Sequence, residues 1–171
     1  MKTIKFYKVW NKPLGTDGRV MLPYGYMSNF SPHGFTDAAE VQWPTAEHFF
    51  QAQKFNDPEI REKIRLADTP WNAAVLGRNT EGLREDWDTY RDFAMFEALL
   101  FKYSCNEDIG IKLLQTRDAI LIEDSPKDSY WGCGKDGKGR NQLGRTHMLV
   151  RNFLLMAMIT EGKTLEEIIS D

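Results

Sequence analysis

Trp43-Pro44-Thr45-Ala46-Glu47-His48-Phe49-Phe50-Gln51-Ala52-Gln53-Lys54-Phe55 reads as a short helix with a clear start. The Thr45 hydroxyl can accept one of the free N–H groups at the helix N-terminus. At about 100° per residue, Glu47, Gln51 and Lys54 fall within roughly 60° of one another, on one polar stripe. Phe50 and Phe55 flank that stripe. An acid, an amide and an ammonium beside aromatic rings read as the wall of a polar pocket. The competing reading is a solvated face of i,i+3 and i,i+4 pairs.

Helices follow in quick succession. A second opens at Asp57-Pro58, a cap residue with proline at the first helical position. A third repeats the signal at Thr69-Pro70 and stops at Gly77. A fourth spans about Asp86 to Tyr103. Its Trp87, Tyr90, Phe93, Met95, Phe96, Leu99, Leu100 and Phe101 surround the axis, which marks a central core helix. A fifth runs from Asn106 to Gln115 and a sixth from Arg145 to Met158. Thr164-Leu165-Glu166-Glu167 is a capping box that opens a terminal helix.

The strand signals are fewer. Thr3–Trp10 alternates, with Ile4, Phe6, Lys8 and Trp10 on one side. Gly34–Trp43 suits a hairpin around Asp37-Ala38-Ala39, and Ala119–Glu123 is a short strand. Asn11–Gly25 and Asp124–Gly144 are loops. The expectation is an α+β fold: a single compact domain over residues 1–171, mainly helical with a small β-sheet.

The chain has 171 residues, enough for one domain with a sizeable core. Five Trp, ten Phe and six Tyr can build that core and also stack on flat rings. The net charge of −3 gives no bulk field for nucleic acid. A local basic cluster does occur at Lys135, Lys138, Arg140, Arg145 and Arg151. Two cysteines and no signal-peptide pattern suggest a reduced, cytoplasmic chain. No apolar run approaches 18 residues, so no membrane partner is expected.

Gly132-Cys133-Gly134-Lys135-Asp136-Gly137 matches G-x-G-x-x-G without the flanking strand and helix that a dinucleotide site requires. Read as a P-loop, it carries Gly139 where a hydroxyl should hold magnesium. His33, His48 and His147 have no partner at ligand spacing, so no metal is expected. His48 reads as a packed, hydrogen-bonded core residue. The long Asp124–Gly144 loop reads as functional, because irregular stretches of that length usually are. Trp131 offers a stacking face, and the glycines let backbone N–H groups approach a ligand.

Several motifs share one resemblance. They are Phe6-Tyr7, Met27-Ser28-Asn29-Phe30-Ser31, the Trp43–Phe55 stretch, Ala74-Val75-Leu76-Gly77-Arg78, Trp87 and Leu113-Leu114-Gln115-Thr116. Asp128-Ser129-Tyr130-Trp131-Gly132, Gly137–Gly144 and Met148-Leu149-Val150-Arg151 complete the set. In this order and spacing they resemble the NADAR family, also called YbiA-like, from about Thr3 to Leu155. The resemblance implies a compact α+β domain that cleaves a bond between ribose C1 and nitrogen, with no metal and no cofactor. One branch of the family hydrolyses phosphoribosylamino-pyrimidine intermediates of riboflavin synthesis. Another removes ADP-ribose from modified guanine in nucleic acid. Lys8, directly after Phe6-Tyr7, favours the second branch. The insert from about Lys12 to Pro23 is longer than expected and would reshape the pocket mouth.

That chemistry needs a carboxylate near the sugar and a proton donor near the base. Glu47 is the first carboxylate candidate, with the logic of glycoside hydrolysis. Asp128 is the second; its alternative task is an Asx turn. An amine could also capture an opened ribose as a Schiff base if it loses its proton through burial or a neighbouring cation. Lys8, sheltered on the Phe6 side of its strand, is the better nucleophile by resemblance. Lys54 is then the partner of Glu47 or of a phosphate. Phe30, Trp87 and Trp131 are candidates to stack on the base. Asn29, Gln51, Gly132, Arg140 and Asn141 complete the substrate-binding set, Arg140 suiting phosphate. Removal of ADP-ribose from ADP-ribosylated guanine is the leading function. Hydrolysis of phosphoribosylamino-pyrimidines, or non-enzymatic NAD or ADP-ribose binding, is the alternative. The expected partner is ADP-ribosylated nucleic acid or a nucleotide-like small molecule, with no obligatory protein partner.

Overall fold

The computed structural model describes residues 2–13, 18–79, 81–164 and 167. Strand β1 is Thr3–Phe6, β2 Phe35–Thr36, β3 Gln42–Trp43 and β4 Ile120–Glu123. The helices are α1 (Ala46–Ala52), α2 (Pro58–Arg65), α3 (Pro70–Leu76), α4 (Trp87–Cys105), α5 (Glu107–Leu114) and α6 (Gln142–Thr160). This is the expected α+β fold, mainly helical with small sheets. The chain divides into two compact units, one of residues 1–28 and 106–171 and one of residues 29–105.

In the 29–105 unit, α1 packs against α2, α3 and α4. The caps read from sequence are in place. Thr45 accepts from His48 N, Asp57 from Glu59 N and Thr69 from Asn72 N. β2 and β3 form the expected hairpin, pairing Phe35 with Trp43 and Thr36 with Gln42. Asp37 pins its turn by accepting Ala39 N at 2.9 Å and Val41 N at 3.0 Å. Phe35, Trp43, Phe49 and Phe101 cluster at ring separations of 5.2–6.2 Å.

α4 differs from the expectation in which face it buries. Ala94, Met95, Ala98, Leu99, Lys102 and Tyr103 are buried, whereas Phe93 is exposed and Phe101 half-buried. Ala94 and Ala98 let the helix approach its neighbours closely, while the Phe93 ring is left exposed.

In the other unit, β1 pairs with β4 in parallel, Ile4 opposite Leu121 and Phe6 opposite Glu123. The strand ends at Phe6, short of the expected Trp10. Ile4, Phe6 and Val9 are buried and Lys8 is exposed. The period-2 alternation breaks after Phe6, so the shelter inferred for Lys8 is not there. α6 packs on β4 and α5. A Cβ at Gly144 would overlap Leu121 O, so only glycine allows that approach. Arg151 is buried and donates from Nη1 to Thr116 Oγ1 at 2.7 Å and Ala119 O at 3.0 Å.

The capping-box bonds are made: Thr164 N donates to Glu167 Oε2 at 2.8 Å and Glu167 N to Thr164 Oγ1 at 3.3 Å. The terminal helix expected there lies outside the described residues. Among the described residues, no helix is long and apolar enough to cross a membrane.

Candidate active site

α1 sets the site. Besides capping α1, the Thr45 hydroxyl meets His48 Nδ1 at 2.8 Å, and His48 Nε2 lies 3.0 Å from Ala67 O. A carbonyl can only accept, so Nε2 carries the proton and Nδ1 accepts from the hydroxyl. Burial holds the His48 pKa below its ordinary value, in keeping with that neutral ring. His48 is thus the hydrogen-bonded core residue its setting suggested.

One helical turn along, Glu47 and Gln51 are both buried. Gln51 Nε2 donates to Glu47 Oε1 at 2.7 Å. Asn29 lies beside Glu47: Glu47 N donates to Asn29 O at 3.1 Å, and Asn29 Nδ2 donates to Met95 Sδ at 3.4 Å. Burial pushes the Glu47 pKa up, while the two amides, Lys54 and Arg78 pull it back. Asn29 Oδ1 and Gln51 Oε1 are buried and have no hydrogen-bond partner among the described residues. Two acceptor oxygens therefore accompany the carboxylate. Such a group suits a ligand that brings hydroxyl donors.

Lys54 lies past the end of α1, in the turn that follows it. Its Nζ donates to Gly77 O at 2.9 Å and lies 6.0 Å from the Phe50 ring centre and 5.8 Å from that of Trp87. Phe50 and Trp87 are themselves 5.2 Å apart. Burial lowers the Lys54 pKa, Glu47 opposes that change and Arg78 adds to it. Trp87 and Phe30 are both half-buried. Asn29, Glu47, Gln51, Lys54 and Trp87 thus all lie in the 29–105 unit, four of them linked through Glu47. Sequence reasoning passed over Arg78, whose signal is its place directly after Gly77.

Gly77 makes this contact possible. A Cβ there would overlap Gln51 Oε1 and lie 2.9 Å from Gln51 Cβ. Gly77→Ala is therefore expected to push the Gln51 amide away from Glu47. Activity should fall about tenfold and stability by about 1–3 kcal/mol, read by turnover and by thermal melting.

The remaining candidates belong to the other unit. Lys8 borders a cleft of about 350 Å³ with Lys5, Tyr7, Leu22, Tyr24 and Asp124. Asp128 Oδ1 accepts Tyr130 N at 2.8 Å and Trp131 N at 2.7 Å, which is the Asx turn. Trp131 meets Tyr130 edge-on at 5.1 Å, and the Arg140 guanidinium lies 5.3 Å from the Tyr130 ring centre. Asn141 Nδ2 donates to Leu121 O at 2.8 Å and its Oδ1 accepts Glu123 N at 2.9 Å, so its amide ties β4 to the start of α6. Gly132 is buried against Ser125. The glycine N–H groups expected to face a ligand bond within the loop instead: Gly134 to Ser125 O and Asp128 O, Gly137 to Gly134 O, Gly139 to Cys133 O. A loop of this length satisfies its own backbone by folding on itself. Among the described residues, no group of three His, Cys, Asp or Glu side chains is placed to hold a metal ion.

The mainly helical α+β fold agrees with what the comparisons give. Residues 6–155 match the NADAR domain, and the chain belongs to that family. It is 47% identical over 153 residues to a protein of Nostoc punctiforme named N-glycosidase, covering 87% of this chain and 90% of that one. It is 36% identical over 167 residues to the chloroplastic riboflavin biosynthesis protein PYRR of Zea mays, covering 89% of this chain and 25% of that one. The NMR structure of the E. coli protein YbiA superposes with a TM-score of 0.78 at 36% identity, covering 92% of this chain and 88% of that one.

Proposed function

We propose that this chain is an N-glycosidase that hydrolyses a ribose–nitrogen bond, and that its substrate is ADP-ribosylated guanine, free or within nucleic acid. The observation that carries the reading is the buried Glu47 carboxylate, bonded to the Gln51 amide and flanked by Asn29, with Lys54 close enough to act on it electrostatically. Breaking the bond leaves positive charge on the ribose and negative charge on the base. Glu47 stabilises the first, because a carboxylate in a water-poor site acts strongly on developing charge. Water adds at C1 as the C–N bond breaks; Glu47 takes the water's proton, and that proton ends on the departing nitrogen, which leaves Glu47 a carboxylate again. The buried, unbonded carbonyl oxygens of Asn29 and Gln51 are acceptors for the ribose hydroxyls.

Of the two lysines weighed from sequence, Lys54 is the one beside Glu47, where its ammonium acts on the carboxylate. Asp128, bonded to the Tyr130 and Trp131 amides, serves this reading as a support of the Trp131 loop. The same reading puts the enzyme in the cytoplasm, where Cys105 and Cys133 remain thiols.

A second reading takes small phosphoribosylamino-pyrimidines as substrates, and the name of the Zea mays relative favours it. The test offers purified protein both substrates and separates the products by chromatography. Release of ADP-ribose from modified DNA is the expected result. Release of ribose 5-phosphate from the pyrimidine alone would replace the first reading by the second. Binding of ADP-ribose with no turnover of either substrate would leave a non-enzymatic module.

A further inference from the structure

We infer that Arg78 and Lys54 form an anion subsite beside Glu47, which holds a phosphate ester of the substrate sugar with Arg78 as its specificity-determining residue. The inference rests on the N-glycosidase reading for the identity of the sugar.

The geometry begins with Gly77. Lys54 Nζ donates to its carbonyl at 2.9 Å, and Arg78 is bonded to that same carbonyl carbon through its own nitrogen. The ammonium and the arginine backbone are therefore only a few bonds apart in space. Arg78 N donates to Val75 O at 3.2 Å, which fixes the backbone where α3 ends. The guanidinium lies over the Trp71 ring, its Cζ 5.1 Å from the ring centre. Trp71 is 57% exposed, and Arg78 is exposed with it. Surface stacks of this kind are common and would say little alone. What sets this one apart is its place one residue after Gly77, whose carbonyl holds the Lys54 ammonium.

Charge points the same way. Glu47 supplies at most one negative charge, and Lys54 and Arg78 supply two positive ones. Each cation acts on Glu47, and the two act on each other. The Arg78 side chain makes no hydrogen bond or ion pair with any other described residue, so its donor fork is uncommitted. Lys54 uses one of its three N–H bonds on Gly77. Two cations with free donors that both act on one carboxylate leave net positive charge. A phosphate ester neutralises it and accepts from both. Arginine meets two phosphate oxygens with its planar fork, whereas lysine offers a point charge. The Trp71 face holds the guanidinium plane without using its N–H edge, a preorganised arrangement.

The experiment measures binding by calorimetry, with ribose 5-phosphate, ADP-ribose and ribose as probes, for the parent chain and for Arg78→Ala and Arg78→Lys. The parent should bind ribose 5-phosphate or ADP-ribose at least tenfold more tightly than ribose. Arg78→Ala should lose at least tenfold for the phosphorylated probe and leave ribose unchanged. Arg78→Lys should fall between, because it keeps the charge and loses the fork. With a turned-over substrate, Arg78→Ala should raise KM with kcat within a few-fold. Phosphorylated probes binding no more tightly than ribose, or binding unchanged in Arg78→Ala, overturns the inference. Turnover with unchanged KM in Arg78→Ala overturns it too, while the N-glycosidase reading stands. Arg78-dependent phosphate binding in a protein that cleaves no N-glycoside does the reverse.

Discussion

Replacing Glu47 by Gln is expected to lower kcat by about 10³-fold, a typical loss for a positioned acid or base, and to raise the melting temperature of the same variant. The two effects have one cause. The carboxyl group is buried, and burial alone raises its pKa against four opposing influences. The folded chain therefore holds this proton to a higher pH than the unfolded chain does. Stability contributed by the protonated group is present below the ordinary carboxylate range and lost as pH rises through the raised pKa. Glutamine keeps the shape and carries no charge, so its advantage should be larger at pH 7 than at pH 4. Relief of a buried charge is worth roughly 1–3 kcal/mol, or about 2–4 °C per kcal/mol in a chain of this size. Kinetics and melting curves at the two pH values test both halves. Parental kcat would remove Glu47 from the chemistry, and an equal melting temperature at both pH values would remove the desolvation argument.

Lys102→Met should stabilise the protein by on the order of 2 kcal/mol at neutral pH and below. Lys102 lies on the buried face of α4 with none of its surface exposed, and burial lowers its pKa to about 7. Its Nζ is 5.6 Å from the Tyr103 ring centre. A fall from 10.5 to about 7 sets an upper bound on the order of 5 kcal/mol at ~1.4 kcal/mol per pH unit. Relaxation of the surroundings reduces that figure. Below pH 7 the lysine is charged in both states, and the folded chain bears the full penalty. Between pH 7 and 10.5 the unfolded chain holds the extra proton, so the parent gains stability as pH rises. Methionine matches the length and does not titrate. Chemical denaturation at pH 6, 8 and 10 should show its advantage shrinking upward. A difference that stays constant with pH would show that Lys102 does not titrate in this window.

Legibility followed distance along the chain. The caps at Thr45, Asp57 and Thr69 were readable because a cap needs only its next three residues. The Asp37 turn was readable for the same reason. The buried face of α4 was not, because Ala94 and Ala98 carry little hydrophobic signal next to Phe93 and Phe96. The end of β1 at Phe6 was not either, since β4 sets it from far away in sequence. In the site, Glu47 and Gln51 were readable as one helical face. Arg78 was missed because an exposed arginine is ordinary, and only the folded position of Gly77 brings it to Lys54. Asn141 looked like a ligand-binding amide because nothing local reveals that both its polar atoms meet β4.

The parallel pairing of β1 with β4 also governs assembly during synthesis. Thr3 finds Ile120, 117 positions later (3 to 120), so the first strand leaves the ribosome long before its partner exists. Closing so large a loop costs roughly 4 kcal/mol in chain entropy. Residues 29–105 are contiguous and make one compact unit. Translation thus delivers the helical segment that carries Glu47 first, and the amino-terminal strand waits, unpaired, for the carboxy-terminal third to emerge.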